Sequence, residues 1–232
     1  IWRAYNETLA DGEVLTQDAN THSALGPALK QDLPEVVDYT RLYNRNENSV
    51  TFVMPERPIK LEGAWMVDAG FLRMFPQQFL QGDPKTCLEE PYQIILTQSA
   101  ASLLFPAQKA MGNILQISGG TFAGNYTVSG IVADPPANTH LKFNVLFSFE
   151  SRYAAGFEDN WGGYWEYNYF QLSPGANLAK VKAQLDKYSN THLKSAGIRL
   201  NMQPLKAIHR GSNLTYEIEP NVDPRSLRML AL

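Results

Sequence analysis

The chain has 232 residues, of which 44% are hydrophobic and 19% are charged, and its formal net charge is −3. These fractions are typical of a globular protein with a real core, and they exclude a disordered or fibrous chain. Because the net charge is small and no block of Lys and Arg occurs, the sequence argues against a nucleic-acid partner, which proteins hold through many phosphate contacts.

The first part of the chain predicts one helix and several short strands. Leu25, Leu29 and Leu33 recur at i, i+4 and i+8, so residues 23–33 can form a helix with one apolar stripe. Pro34 ends this helix. The elements predicted after it are strands at 36–43, 50–54 and 61–67 and a short helix at 69–75.

The middle of the chain is rich in predicted strands and is bounded by two irregular segments. Glycine and charged residues come together at 82–90, which also contains a proline, and again at 156–163. We interpret both segments as crossings between two lobes. The elements predicted between them are strands at 93–96, 114–117, 126–133 and 141–149 and a short helix at 98–105.

The last part predicts the clearest helix of the chain, which follows Pro174-Gly175. Its apolar face consists of Leu178, Val181, Leu185 and Tyr188. Strands are predicted at 164–172, 200–208 and 216–218. In sequence order, the elements predict an α+β fold of two lobes, with residues 1–84 and 161–232 in a discontinuous lobe and residues 85–160 in an inserted, strand-rich lobe.

No pattern typical of catalysis, cofactor binding or metal binding is recognisable. The chain has no GxxxxGK[ST] phosphate loop, and Ser129 lacks the upstream glycine of a nucleophile elbow. Cys87 is the only cysteine, which excludes an internal disulfide and any CxxC motif. The histidines stand far apart in the sequence, at His22, His140, His192 and His209. We therefore predict no catalytic residue, no cofactor and no metal.

The densest group of aromatic residues is the one candidate for a binding surface. On a strand, Trp165, Tyr167 and Tyr169 share a face and can form a flat platform for a sugar ring or an apolar partner. Packing between a sheet and a helix explains the same residues, because aromatic side chains are common in strands. The predicted partner or packing surface consists of Trp161, Trp165, Tyr167 and Tyr169.

Five segments, in order along the chain, resemble one known family. The longest is YTVSGIVADPPANTHLKFNVLFSF at 126–149, where a Pro-Pro and Asn-rich turn joins two strand-like runs. The others are Ile1-Trp2-Arg3-Ala4, MVDAGFLRMFPQQFLQGDP at 66–84, ILTQSAASLLF at 95–105 and Leu205-Lys206-Ala207-Ile208-His209. Together they resemble the periplasmic core domain of MacB/FtsX-type ABC transporter permeases, most closely the large permeases of Bacteroidetes-like bacteria.

The resemblance implies a porter-like lobe at 1–84 and 161–232 and an inserted Sabre-like lobe at 85–160. It also implies a non-catalytic domain on the periplasmic side of the bacterial inner membrane. Such a domain transmits motion from ATP hydrolysis in a separate nucleotide-binding domain and docks partner proteins. The implied partners are the transmembrane helices of the same permease, a cytoplasmic ABC ATPase subunit, a second permease copy or second periplasmic domain, and a periplasmic or outer-membrane protein.

Two other classes of function stay open. A freestanding periplasmic binding protein would also have two lobes, which would close over a small molecule. A hydrolase could have a site that only the fold assembles. A hydrophobic segment directly before Ile1 and another after Leu232 in a longer chain would favour the permease, whereas an isolated signal peptide would favour the binding protein.

Overall fold

The computed structural model describes residues 1–45, 47–106, 108–208 and 214–219. The chain forms two compact units. Unit 1 comprises residues 1–39 and 159–232, and unit 2 comprises residues 40–158. Unit 1 is therefore discontinuous in sequence, whereas unit 2 is one continuous stretch.

Unit 1 contains an antiparallel sheet. Its strands are β1 Trp2–Ala10, β2 Glu13–Asp18, β3 Thr21–His22, the first half of β4 Val36–Tyr43, β13 Tyr164–Leu172 and β14 Ile198–Pro204. Its helices are α1 Leu25–Asp32, α5 Leu178–Tyr188 and α6 Leu205–Ile208, with a π-helical turn at Ser189–Leu193 and a 3-10 turn at Lys194–Ala196. β1 lies between β14 and β13 and also pairs with β2, while β3 pairs with β13.

The core of unit 1 lies between this sheet and helices α1 and α5. Its buried residues are Ala4, Leu25, Leu29, Leu33, Val36, Phe170, Val181, Leu185, Tyr188, Leu193 and Leu200. The predicted apolar face of α5 is confirmed at Val181, Leu185 and Tyr188, but Leu178 is 42% exposed. Leu178 is the first residue of the helix, directly after the Asn177 cap, and lies short of the buried turns.

Unit 2 contains a mixed sheet and three short helices. Its strands are the second half of β4, β5 Ser49–Phe52, β6 Ile59–Glu62, β7 Ala64–Val67, β8 Phe79–Gln81, β9 Gln93–Thr97, β10 Ile114–Ile117, β11 Gly124–Val132 and β12 Val145–Ser148. Its helices are α2 Gly70–Met74, α3 Gln98–Leu104 and α4 Glu150–Ala154. The strand order is β4-β7-β12-β9-β11-β10-β5-β6, and β8 pairs with β11. β12 is parallel to β7 and β9 is parallel to β11, whereas the other paired strands are antiparallel.

The core of unit 2 is centred on aromatic side chains from β11, β12 and the loop before β11. The Phe147 ring lies 4.6 Å from the Phe122 ring and 4.8 Å from the Tyr126 ring, measured between centroids. All three side chains are almost completely buried. The parallel and antiparallel strands, combined with short helices, confirm the predicted α+β class.

Four predicted strands differ from the structure. The run at 61–67 is divided, because Gly63 adopts a φ of +71° between β6 and β7. The run at 141–149 contributes only β12, since Phe149 has helical dihedral angles and precedes α4. The run at 200–208 ends as a strand at Pro204 and continues as α6. Residues 216–218 form no strand, and Tyr216 has a φ of +60°.

The predicted boundaries of the porter-like lobe at 1–84 and 161–232 and of the Sabre-like lobe at 85–160 stay a prediction. The boundaries of the compact units fall elsewhere, at 39/40 and 158/159. Among the described residues, no helix combines the length and apolar character needed to cross a membrane.

Candidate functional site

The four aromatic residues of the predicted surface lie in different environments along and before β13. Tyr167 and Tyr169 are buried, whereas Trp165 is 43% exposed and Trp161 is half-buried. The pairing of β13 with β3 shifts register between Tyr164 and Glu166, and such an irregularity breaks the alternation of side chains between the two faces. The structure therefore does not bring Trp165, Tyr167 and Tyr169 together as one exposed platform.

Tyr167 contacts residues 214–219, a segment of the same unit. The Tyr167 hydroxyl donates a hydrogen bond of 2.7 Å to the carbonyl oxygen of Tyr216. The Thr215 backbone pairs with the end of β2: its amide donates to Gln17 O at 2.8 Å and its carbonyl accepts from Ala19 N at 2.9 Å. We call residues 214–219, together with their contacts to the rest of unit 1, the C-terminal clamp.

A buried ion pair completes the C-terminal clamp. Arg3 of β1 donates two hydrogen bonds to Glu217, from Nη1 to Oε2 at 2.5 Å and from Nη2 to Oε1 at 2.6 Å. The side chain of Arg3 is 0% exposed and that of Glu217 is 9% exposed. Two parallel bonds of this kind fix both the distance and the orientation of the partners. Arg3 and Glu217 are therefore held in one geometry.

The electrostatics around Arg3 follow from this pairing. Burial alone would lower the pKa of Arg3, but the hydrogen bonds and charge of Glu217, together with Tyr169, outweigh burial and raise it. Burial raises the pKa of Tyr169 to about 12, although the neighbouring Arg3 opposes the shift. Tyr169 is thus a neutral phenol at physiological pH, beside a permanently charged guanidinium.

β1 is also tied to its neighbours by a second buried carboxylate. Glu7 of β1 accepts hydrogen bonds from Gln17 of β2 at 2.9 Å and from Arg199 of β14 at 2.7 Å. Burial acts to raise the pKa of Glu7, but the hydrogen bonds from Gln17 and Arg199 lower it on balance. Side chains as well as backbone ladders therefore connect β1 to the strands on either side.

Trp161 packs against the end of α5. Its ring stacks on His192 with centroids 4.5 Å apart and planes 1° apart, and it lies 5.2 Å from the Tyr188 ring. The His22 ring lies 6.0 Å from the Trp161 ring, measured between centroids. These contacts give Trp161 a packing role within unit 1, which is one of the two alternatives predicted for it.

His22 is a buried, neutral histidine. Its Nδ1 lies 3.1 Å from the carbonyl oxygen of Gly163, a distance at which a protonated Nδ1 donates a hydrogen bond. Its Nε2 has no hydrogen-bond partner among the described residues. Burial lowers the pKa of His22 from 6.5 to about 4, because a charged imidazolium would lose its hydration.

We expect the protein to lose stability as the pH falls from about 6.5 to about 4, where the folded-state pKa of His22 lies. In this window the unfolded chain binds a proton at His22 that the folded chain does not, so protonation favours unfolding. Urea unfolding at several pH values should show this slope, and His22→Gln should reduce it. An unchanged slope in that variant would contradict the assignment.

The sequence predicts no metal site and no catalytic nucleophile, and the residues considered for them lie in several elements. Among the described residues, no group of three or more His, Cys, Asp or Glu side chains is close enough to hold a metal ion. His209 lies outside the described residues. Ser129 is a strand residue of β11, and its hydroxyl oxygen lies 2.6 Å from the carbonyl oxygen of Cys87 and 3.0 Å from that of Ile94, so its one proton is shared between these two acceptors.

Three of the solved structures that resemble this chain are domains of bacterial proteins. A domain assigned to a permease protein of Porphyromonas gingivalis has a TM-score of 0.70 at 15% identity, over 99% of this chain and 94% of that one. The periplasmic region of MacB from Actinobacillus actinomycetemcomitans has a TM-score of 0.59 at 11% identity, over 89% and 90%. The extracellular domain of the noncanonic ABC-type transporter YknZ from Gram-positive bacteria has a TM-score of 0.59 at 13% identity, over 88% and 100%.

The family is established by sequence. No curated protein matches the chain. Residues 3–188 match the family model of the MacB-like periplasmic core domain, and these residues make up most of the chain. The chain therefore belongs to the family of MacB-like periplasmic core domains, and it is a periplasmic domain of a MacB-like ABC transporter permease.

Proposed function

We propose that this domain transmits motion from ATP hydrolysis to the periplasmic side and docks partner proteins there. It is non-catalytic in this proposal, and ATP is hydrolysed in a separate cytoplasmic nucleotide-binding domain. The proposed partners are the transmembrane helices of the same permease, the cytoplasmic ABC ATPase subunit, a second permease copy or periplasmic domain, and a periplasmic or outer-membrane protein.

The C-terminal clamp is the observation that supports a mechanical role. Arg3 lies in β1, close to the beginning of the described chain, and Glu217 lies close to its end, yet the two side chains form a buried ion pair. β1 is the central strand of the unit 1 sheet and pairs with β2, β13 and β14. A displacement that reaches β1 or residues 214–219 is therefore passed to the whole sheet rather than absorbed by a loose segment.

Docking would use the exposed part of the aromatic group. Trp165 is 43% exposed and its neighbour Tyr164 is 38% exposed, whereas Tyr167 and Tyr169 are enclosed. Large aromatic rings with one exposed face are frequent anchors in protein interfaces. We therefore propose Trp165 as the contact residue of unit 1, whereas Trp161 is packed against His192 and Tyr188.

Cross-linking two copies of the full-length permease tests the mechanical proposal. Cys87 is first replaced by Ser, which keeps a donor for the carbonyl oxygen of Asp83, 2.8 Å from the present sulfur. Single cysteines are then placed at exposed positions of β2, such as Glu13 and Leu15, and the position that forms a disulfide between copies is chosen. We expect oxidation to abolish transport and a reductant to restore it.

The control is the Cys87→Ser permease without a new cysteine, treated with the same oxidant. The ATPase rate is measured in parallel with transport. A cross-link on the periplasmic side should stop transport but leave the ATP-binding site of the ATPase subunit intact. Full transport in the cross-linked state would contradict a moving lever and would favour a domain that only binds a small molecule.

A further inference from the structure

Strand β14 ends the strand order in unit 1 and β6 ends it in unit 2, so each has one edge without a strand partner among the described residues. A strand edge with unpaired N–H and C=O groups can accept a strand of another chain. The hydrogen bonds around β14 and β6 show which of their groups point outward and which of these are already occupied.

The edge of β14 is closed to a further strand. Backbone bonds that continue the β1–β14 ladder at both of its ends place the N–H and C=O groups of the odd-numbered β14 residues towards β1. The even-numbered residues therefore face outward. Leu200 N already donates to Ser189 Oγ at 2.9 Å, and Met202 N donates to Asn201 Oδ1 at 2.9 Å. Pro204 has no N–H, so the edge offers no free donor from Leu200 onward.

The edge of β6 is open. Gly63 N donates to Asn48 O at 2.7 Å, in register with the β5–β6 ladder, so the odd-numbered residues of β6 bond to β5. Lys60 and Glu62 therefore face outward. The N–H and C=O of Lys60 and the N–H of Glu62 have no partner among the described residues. The C=O of Glu62 accepts one bond of 3.0 Å from Asn144 Nδ2 and keeps its second lone pair.

The side chains of β6 alternate between charged and apolar. Lys60 and Glu62 are exposed and form no ion pair among the described residues. Ile59 and Leu61 are half-buried and pack against the core of unit 2. An antiparallel pairing of two β6 strands that opposes Lys60 to Lys60, or Glu62 to Glu62, places like charges directly opposite, which is destabilising. Only the two-fold register centred on Leu61 opposes Lys60 of each strand to Glu62 of the other.

We propose that β6 pairs with β6 of a second copy of this chain, antiparallel and centred on Leu61. In this register Lys60 of each copy exchanges backbone hydrogen bonds with Glu62 of the other, and the same residues form two cross-strand ion pairs. An edge lysine discourages pairing with unrelated strands, so the match of Lys60 with Glu62 also makes the contact selective.

This contact is short and needs no high affinity. Two permease copies anchored in one membrane present their domains to each other at a high effective concentration, at which a weak contact closes. The proposal rests on the second permease copy named in the proposed function, and it assigns the surface through which the copies meet.

Disulfide formation between two differently tagged copies of the full-length permease tests the register. Both carry Cys87→Ser, and one carries Lys60→Cys while the other carries Glu62→Cys. Opposite residues of a hydrogen-bonded pair have Cα atoms about 5.5 Å apart, within the disulfide range of roughly 4.4 to 6.8 Å. We expect mild oxidation to join the two tags. Copies that all carry Lys60→Cys are the matched control and should give far less product, because these positions are then diagonal, about 7 to 8 Å apart.

Charge reversal in the same assay tests the remaining ion pair, which joins Glu62 of the first copy to Lys60 of the second. Adding Glu62→Lys to the first copy should lower the rate of disulfide formation by about threefold to tenfold, because like charges then face each other. Adding Lys60→Glu to the second copy should restore the rate. Glu90→Lys, at an exposed position outside β6, is the control and should leave the rate unchanged.

Two results would overturn the proposal. One is a mixed sample that gives no more disulfide than the Lys60→Cys control. The other is a rate that the first charge reversal leaves unchanged, or that the second reversal fails to restore. The cross-link at β2 uses a different strand, so the two experiments fail separately. Transport that stops on cross-linking at β2, combined with no pairing at β6, would keep the mechanical function and remove only this contact.

Discussion

Glu217→Ala is expected to lower the free energy of unfolding by about 3 to 5 kcal/mol, the usual cost of removing one partner of a buried ion pair. The substitution leaves the fully buried Arg3 guanidinium without the carboxylate that now accepts two of its hydrogen bonds. It also releases the end of the C-terminal clamp. Urea denaturation followed by circular dichroism should show the loss as a lower midpoint.

Two further variants separate the ion pair from a general effect of removing a carboxylate. Glu13→Ala, at an exposed position of β2, should change the midpoint very little. The double variant Arg3→Met with Glu217→Leu should recover much of the lost stability, because apolar pairs often replace buried ion pairs without cost. If Glu217→Ala and Glu13→Ala unfold at the same midpoint, the ion pair is not closed in solution.

Leu185→Ala is expected to cost about 2 to 5 kcal/mol, as large-to-small changes in a core usually do. Leu185 is 0% exposed and lies in the core of unit 1, between α5 and the sheet. Leu178→Ala is the matched control on the same helix, because Leu178 is 42% exposed, and it should cost less than about 1 kcal/mol.

A second control on α5 addresses the charged face. Lys182 forms a salt bridge of 2.6 Å with Asp186, one turn later on the helix, and both side chains are well exposed. Lys182→Ala should therefore cost only about 0.3 to 0.5 kcal/mol. Thermal and urea unfolding of the three variants measure the order of effects. Equal destabilisation by Leu185→Ala and Leu178→Ala would contradict the placement of α5 against the sheet.

A link between the clamp and function would appear in the permease rather than in the isolated domain. If the ion pair passes motion between β1 and residues 214–219, Glu217→Ala, which breaks the pair, should lower transport more than it lowers the ATPase rate. In the double variant Arg3→Met with Glu217→Leu, the ratio of transport to ATPase rate should return towards that of the unmodified permease, because apolar groups close the same contact. The comparison therefore separates loss of coupling from loss of folded protein.

The sequence by itself determined the elements whose residues are arranged in a local pattern. The leucine spacing of α1 and the apolar face of α5 are visible within two or three turns, and the alternation or continuous apolar character of β4, β10 and β13 is visible within single strands. The family was also recognisable, because its segments keep their order along the chain. Such features depend on neighbours in sequence, which a sequence displays directly.

Only the tertiary structure decided which residues meet across the chain. Arg3 and Glu217 are 214 positions apart, and nothing near either residue indicates the other. The burial of Tyr167 and Tyr169, in contrast to the exposure of Trp165, depends on strand irregularity and on residues 214–219 rather than on alternation within β13. Contacts of this kind arise from chain topology, and the local pattern of side chains does not specify it.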